Sequence, residues 1–196
     1  MSTTISPQVI YLLERYSSLD YFAQLRDTWA EMVDHLETCL EGFMGSLPAN
    51  YRSRPLPEQP DAVWGECVLP NFRTVLQGLN TGVVLLTHGD PKGLHYAHGP
   101  LNAFRGQLEF WAGWLSKQNA QQYRGLLHTT TTMASNICFT ERAQWQPMDL
   151  SKYSDERGPL DPPAKWPNYR LNKSISVVSG EKTATSGIYL PDVDDS

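Results

Sequence analysis

From Asp20 to Leu47 the apolar residues Phe22, Leu25, Trp29, Met32, Leu36, Leu40, Phe43 and Leu47 recur at steps of three and four. That spacing follows the period of an α-helix and draws one apolar stripe along about seven turns. At about 100° per residue the acids Asp27, Glu31, Asp34 and Glu41 fall near the opposite side. The predicted helix therefore has one side for the core and one acidic side.

The same period marks other segments. Ser6-Pro7 joins a capping residue to a first-turn proline and opens a short helix through about Tyr16. In the connector "LPANYRSRPLPEQPDAVWG", Pro48, Pro55, Pro57 and Pro60 forbid a regular helix and favour extended backbone. Helical spacing resumes near Asp61, with Pro70 either starting a new helix or kinking it. It continues through Phe72, Val75, Leu76, Leu79, Val83 and Leu86, until the glycines of "HGDPKGLHYAHG" interrupt it. A fourth helix is predicted to carry Leu101, Phe104, Leu108, Trp111 and Leu115. A fifth, from near Asn119, carries Tyr123, Leu126, Leu127, Met133 and Ile137. Four long helices with short to moderate connections predict a mainly α fold, an antiparallel helical bundle spanning residues 1–142.

Past Arg142 the period is lost. "WQPMDLSKYSDERGPLDPPAKWPNYRL" holds five prolines, and "SISVVSGEKTATSGIYLP" offers two β-prone runs around a Ser179-Gly180 turn. Residues 143–196 thus read as a small extended or β-hairpin appendage. A hairpin alone is marginally stable, so this one is expected to dock on the bundle or to belong to a larger sheet.

Composition narrows the class. A chain of 196 residues with 40% apolar content can build a core of its own. No segment approaches the roughly 18 uninterrupted apolar residues of a membrane span, and the N-terminus has no basic-then-apolar leader. Cys39, Cys67 and Cys138 are odd in number and form no CxxC pair, which supports neither a disulfide framework nor a thiolate zinc site. A soluble protein of the reducing cytoplasm is expected. The net charge of −5 disfavours nucleic acid as a direct partner. Between residues 20 and 47, Asp20, Asp27, Glu31, Asp34, Glu37 and Glu41 face a single base, Arg26, so this segment accounts for the whole net charge.

Sequence signatures of catalysis are absent: there is no GxxxxGK[ST], GxSxG, HExxH or GxGxxG. Ser179 and Lys182 match SxxK, but in a turn rather than at the start of a helix, where that motif works. His88, Asp90, His95 and His98 lie within eleven residues of a glycine-rich loop, and imidazoles with a carboxylate are chemically able to hold a divalent metal. Their spacing matches no fixed metal pattern, and capping or turn roles compete with ligation. Arg105 and Glu109 are placed to pair across one helical turn. The acidic side is denser than solubility requires. Like charges one turn apart mildly destabilise a helix, whereas a uniform field attracts a basic partner and speeds its association.

Several segments carry a family likeness: "RSRPLPEQPDAVWGECVLPNFR" (52–73), "LTHGD" (86–90), "RGQLEFWAGW" (105–114) and "SGIYLPD" (186–192). With them the chain resembles the mostly helical immunity proteins of bacterial polymorphic toxin systems, those of the immunity protein 71 and immunity protein 72 families. The resemblance implies a dedicated inhibitor, without catalytic residues or cofactor, that binds and occludes a toxin delivered in contact-dependent or type VI competition. It also implies that such chains continue past an "SGIYLPD"-like segment, which would leave the hairpin short of a partner strand. A cytoplasm-acting toxin with a basic surface, as a nuclease presents, fits the acidic helix. Glu31, Asp34, Glu37 and Glu41 would steer the encounter, and Tyr51 and Trp64 in the connector would be anchors, since Tyr and Trp dominate interface hot spots. The competing expectation is a small metal-dependent hydrolase using His88, Asp90, His95 and His98.

Overall fold

A computed structural model describes residues 6–107, 110–146, 149–152, 157–158, 162–183 and 187–190 of the chain. The described residues are mainly helical: α1 (Pro7–Tyr16), α2 (Leu19–Met44), α3 (Leu69–Thr87), α4 (His98–Gln107), α5 (Lys117–Glu141) and a single turn, α6 (Asp149–Lys152). Ser18 caps α2 by accepting a hydrogen bond from the Tyr21 amide, and Ser116 caps α5 by accepting one from the Asn119 amide. The expected Ser6 cap contributes no side-chain bond, but Pro7 occupies the first turn of α1 as its fixed φ favours.

The stripe on α2 organises the core. Phe22, Leu25, Trp29, Met32 and Leu36 have no exposed surface, whereas Leu47, beyond the helix end at Met44, lies 37% exposed. On one flank Phe22 lies against Gly82, Arg26 donates to Asn80, Trp29 Nε1 donates to the Phe72 carbonyl at 3.0 Å and Leu40 lies against Gly65. On the other, Tyr21 meets Asn136 and His35 meets the Asn119 carbonyl. Partner numbers fall as α2 numbers rise on both flanks, so α2 runs antiparallel to both α3 and α5. Helix α4 packs against α3 and α5.

Pro70 lies in the first turn of α3, so it starts an α-helix as one of the two expected alternatives had it, but that helix does not begin from a loop. Asp61–Val68 forms a π-helix that runs directly into α3. Proline has no N–H to donate and crowds the carbonyl four residues before it, so a wider turn upstream accommodates it. The proline-rich connector contains two 3-10 turns, Tyr51–Ser53 and Leu56–Glu58, joined through extended Arg54 and Pro55.

Two expected elements differ. The fourth helix is described as far as Gln107, Leu108 and Glu109 fall outside the described residues, and Trp111, Trp114 and Leu115 lie in the loop ahead of α5 rather than on a helix. The Trp111 carbonyl accepts the Trp64 indole N–H at 2.9 Å, a tertiary bond that replaces the helical one. The β-hairpin is not formed among the described residues, which contain no strand. Its turn does form: the Glu181 amide donates to the Val178 carbonyl, with Gly180 at φ 92°. Ile175 and Val178 on one side, and Ile188 and Leu190 on the other, remain 37–68% exposed, so neither run has the buried face a ladder needs. Other parts of the segment past 142 do dock. Leu150 is buried, Gln8 donates to its carbonyl, Trp166 packs edge-on to Tyr11 and Tyr169 donates to Glu14 at 2.6 Å.

Backbone contacts define two sensitive positions. A Cβ on Gly82 would lie 2.6 Å from the Phe22 ring and 2.8 Å from the Gly93 carbonyl oxygen, because α3 and the 3-10 segment Pro91–Ala97 touch main chain to main chain. Helices α3 and α5 end alike. The Asp90 amide bonds the Leu85 carbonyl and the Gly89 amide bonds that of Leu86, while Gln144 bonds Phe139 and Ala143 bonds Thr140. The left-handed residue is Gly89 in the first case and Ala143, at φ 51°, in the second. We expect Gly82→Ala to destabilise by about 1–3 kcal/mol despite alanine's better helix propensity. Ala143→Gly should stabilise by about 1 kcal/mol by removing a left-handed Cβ. Denaturant unfolding followed by circular dichroism reads both signs.

Candidate functional site

Helical period places Asp27, Glu31, Asp34 and Glu41 on the exposed side of α2. Asp27 contacts its neighbour Arg26 at 2.5 Å. Glu37 turns toward α3 and pairs with Arg73 Nε at 2.6 Å. Glu31, Asp34 and Glu41 are exposed with no ion-pair partner among the described residues. Of the four acids expected to steer a partner, one is already neutralised and three are available.

Two of these three, Glu31 and Asp34, border a groove. Asp27, Glu31, Asp34 and Thr38 on α2 and Gln122 on α5 line an open depression of about 520 Å³. It shares His35, Thr38 and Gln122 with a second depression of about 410 Å³, floored by Phe43, Trp114 and Leu115. One side of the combined groove is acidic and its far end is apolar. Inside it, Cys39 Sγ lies 3.8 Å from His35 Nε2. That pair is not an activated nucleophile: His35 Nε2 faces the Asn119 carbonyl at 3.1 Å, a group that only accepts, so this nitrogen holds the proton and cannot take one from the thiol. Burial also pushes the Cys39 thiol pKa up, away from thiolate.

Tyr51 and Trp64, expected as anchors in the connector, are each 1% exposed and belong to the core. Trp64 packs edge-on against Trp114 and Tyr123, and Phe43 joins Trp114 to Tyr51. A partner docking on the surface does not reach them. Tyr51 instead donates its hydroxyl to Asp61, whose other oxygen contacts Arg52 at 2.7 Å. Burial alone would raise the Asp61 pKa; the Tyr51 hydrogen bond and the Arg52 guanidinium outweigh it and hold the carboxyl below its usual range.

The expected histidine cluster is rearranged. His88 Nδ1 folds back on the Val84 carbonyl at 2.8 Å, and Asp90 accepts from the Lys92 amide at 3.0 Å as a cap. Both roles are local, and they remove His88 and Asp90 from a common site. His95 and His98 do come together, ring centroids 4.9 Å apart, but against Glu141 at the end of α5: His95 Nδ1 is 3.4 Å from Oε1 and His98 Nε2 is 3.2 Å from Oε2. The hydrolase ligand set drawn from one loop is therefore not assembled. Ser179 and Lys182 lie in and after the Val178–Glu181 turn, so no helical SxxK geometry exists.

Sequence reasoning missed Glu141, which lies 43 residues from His98 and is brought to it only by α4 packing on α5. It also missed the exposed aromatics of the loop before α5, Phe110 (37%) and Trp111 (42%), because a helix period was extended across them. Gly106, one residue before the helix ends, and Gly113 beneath the Trp111 ring were the available signals.

Asp61 generates a pH-dependent expectation. Its folded-state pKa is depressed, so its contribution to stability is present above the ordinary carboxylate range and lost as pH falls through the folded value. Tyr51→Phe should destabilise by about 1–2 kcal/mol at pH 7, and the difference from the parent should narrow below about pH 4, as unfolding measured at both pH values will show. Comparison of the chain with protein-family models, with curated proteins and with solved structures returned no match.

Proposed function

We propose that this protein is an immunity protein: a non-catalytic binder that occludes a cognate, cytoplasm-acting toxin domain through the acidic face of α2 and the groove beside it. The observation that carries the reading is the line of three uncompensated exposed acids, Glu31, Asp34 and Glu41, on one helix face, two of them lining an open groove. Surface acids without cationic partners repel one another and contribute nothing to the fold. Across an interface the same field raises the rate of encounter with a basic surface.

The resemblance of residues 52–73, 86–90, 105–114 and 186–192 to immunity proteins supports the same reading. The anchor role passes from Tyr51 and Trp64 to Trp111, an exposed aromatic in the loop that also supplies Trp114 and Leu115 to the groove. No described helix is long and apolar enough to cross a membrane.

The reading expects a toxin domain encoded beside this gene, and that domain is the reagent for the test. With Glu31→Gln, Asp34→Asn and Glu41→Gln combined, association at low salt should slow about 10-fold, and the difference should shrink as salt is raised. Glu37→Gln alone should change little, because Arg73 already neutralises that carboxylate. Trp111→Ala should raise the dissociation rate. An on-rate and salt dependence identical to the parent's in the triple variant would take the α2 face out of the interface. Failure of the parent protein to protect cells expressing the toxin would overturn the immunity reading itself.

A further inference from the structure

Outside the groove, two helical segments each offer a pair of side chains three residues apart, and the pairs face each other. His95 lies in the last turn of the 3-10 segment Pro91–Ala97 and His98 begins α4. With about three residues per 3-10 turn, positions i and i+3 eclipse, so the two imidazoles lie on one side. On α5, Cys138 and Glu141 share a face by the same spacing. Packing of α4 on α5 closes the four groups into one cluster.

We infer that His95, His98 and Glu141 form a binding site for a divalent transition metal, zinc being the ion best matched, that clips the start of α4 to the end of α5. The three ligand atoms lie within 4.8 Å of one another. The two N···O separations, 3.4 Å from His95 Nδ1 to Oε1 and 3.2 Å from His98 Nε2 to Oε2, run to the two oxygens of one carboxylate. Both imidazoles therefore face the same group, and an ion between them has nitrogen and oxygen donors within reach. The His95 side chain is 70% exposed, which leaves room for its ring to adjust toward an ion, while His98 and Glu141 are 19% and 24% exposed.

The surroundings suit a cation. Cys138 Sγ lies 3.4 Å from His98 Nδ1. Without an ion, His98 Nε2 faces a carboxylate that only accepts and so carries the proton. An ion on Nε2 takes that place and moves the proton to Nδ1, where the Cys138 sulfur can accept it, the arrangement by which an outer partner orients a ligating imidazole. Glu141 is the last residue of α5, where the helix end carries partial negative charge. A carboxylate there is unfavourable on its own, and a bound dication offsets both charges. Three protein ligands leave a fourth position for water on the exposed His95 side. The inference does not depend on the toxin-binding reading, since none of these residues lines the groove.

Titration of the full chain with zinc ion by calorimetry tests it. The expected result is one ion per chain and a higher melting temperature in zinc, with Co²⁺ giving the intense visible absorption of a four-coordinate ion. His98→Ala and Glu141→Gln should each weaken zinc binding at least about 10-fold and abolish the cobalt band. His88→Ala, at a residue bonded to the Val84 carbonyl and outside the cluster, should leave both unchanged. Circular dichroism confirms that each variant is folded. Absence of stoichiometric binding by the parent, or parental affinity in the His98→Ala, Glu141→Gln double variant, would overturn the site.

Discussion

Helix α2 carries five side chains with no exposed surface, Phe22, Leu25, Trp29, Met32 and Leu36, and they cannot be hidden by a single neighbour. A stripe that wide needs cover from two directions, and α3 and α5 provide it, both antiparallel to α2. Trp29 shows how tightly the arrangement is held. Its ring packs edge-on to Phe72 at 5.0 Å while its indole N–H reaches the carbonyl of the same residue. The tryptophan is thus buried with its polar atom satisfied, which ties α2 to α3 both along and across their axes.

What α2 does on its other side follows from the same constraint. Once two flanks and the stripe are committed to packing, the charged residues left over can only line up on the remaining arc. Glu37 lies at the edge of that arc and is taken by Arg73; Glu31, Asp34 and Glu41 lie beyond reach of α3. The acidic face and the groove are therefore not separate features. The groove is the gap between α2 and the beginning of α5, and Glu31 and Asp34 stand along its rim.

At the opposite ends of the helices the structure relies on bonds across the chain rather than on propensity. Trp64 leaves the π-helical segment to bond the Trp111 carbonyl, and an aromatic group of Phe43, Tyr51, Trp114 and Tyr123 gathers near it. The proline that demands the π segment, Pro70, and the aromatics that exploit it are thus parts of one solution. Gly82 and Gly93 play the corresponding role at the other end of α3, where main chains meet without side chains between them.

Amino-acid order by itself determined the existence and faces of α2, α3 and α5, because a 3.6-residue period sustained over many turns arises when a helix buries one side, and it marked α1 by its Ser6-Pro7 start. It also determined that the acids gather on α2, since their angular position follows from that period. Tertiary structure decided the rest. The period alone carries α4 on through Trp111, but a distant indole claims the Trp111 carbonyl. Tyr51 and Trp64 lie in and just after a proline-rich loop, where surface anchors are expected, yet the loop folds its aromatics inward, and no local pattern distinguishes those two outcomes. Likewise the β-prone runs near Ser179 encode a turn but not the partner surface that would make strands of them. The histidines were visible, but Glu141 was not, because a ligand set is defined by distance in space and only the packing of α4 on α5 brings those side chains together.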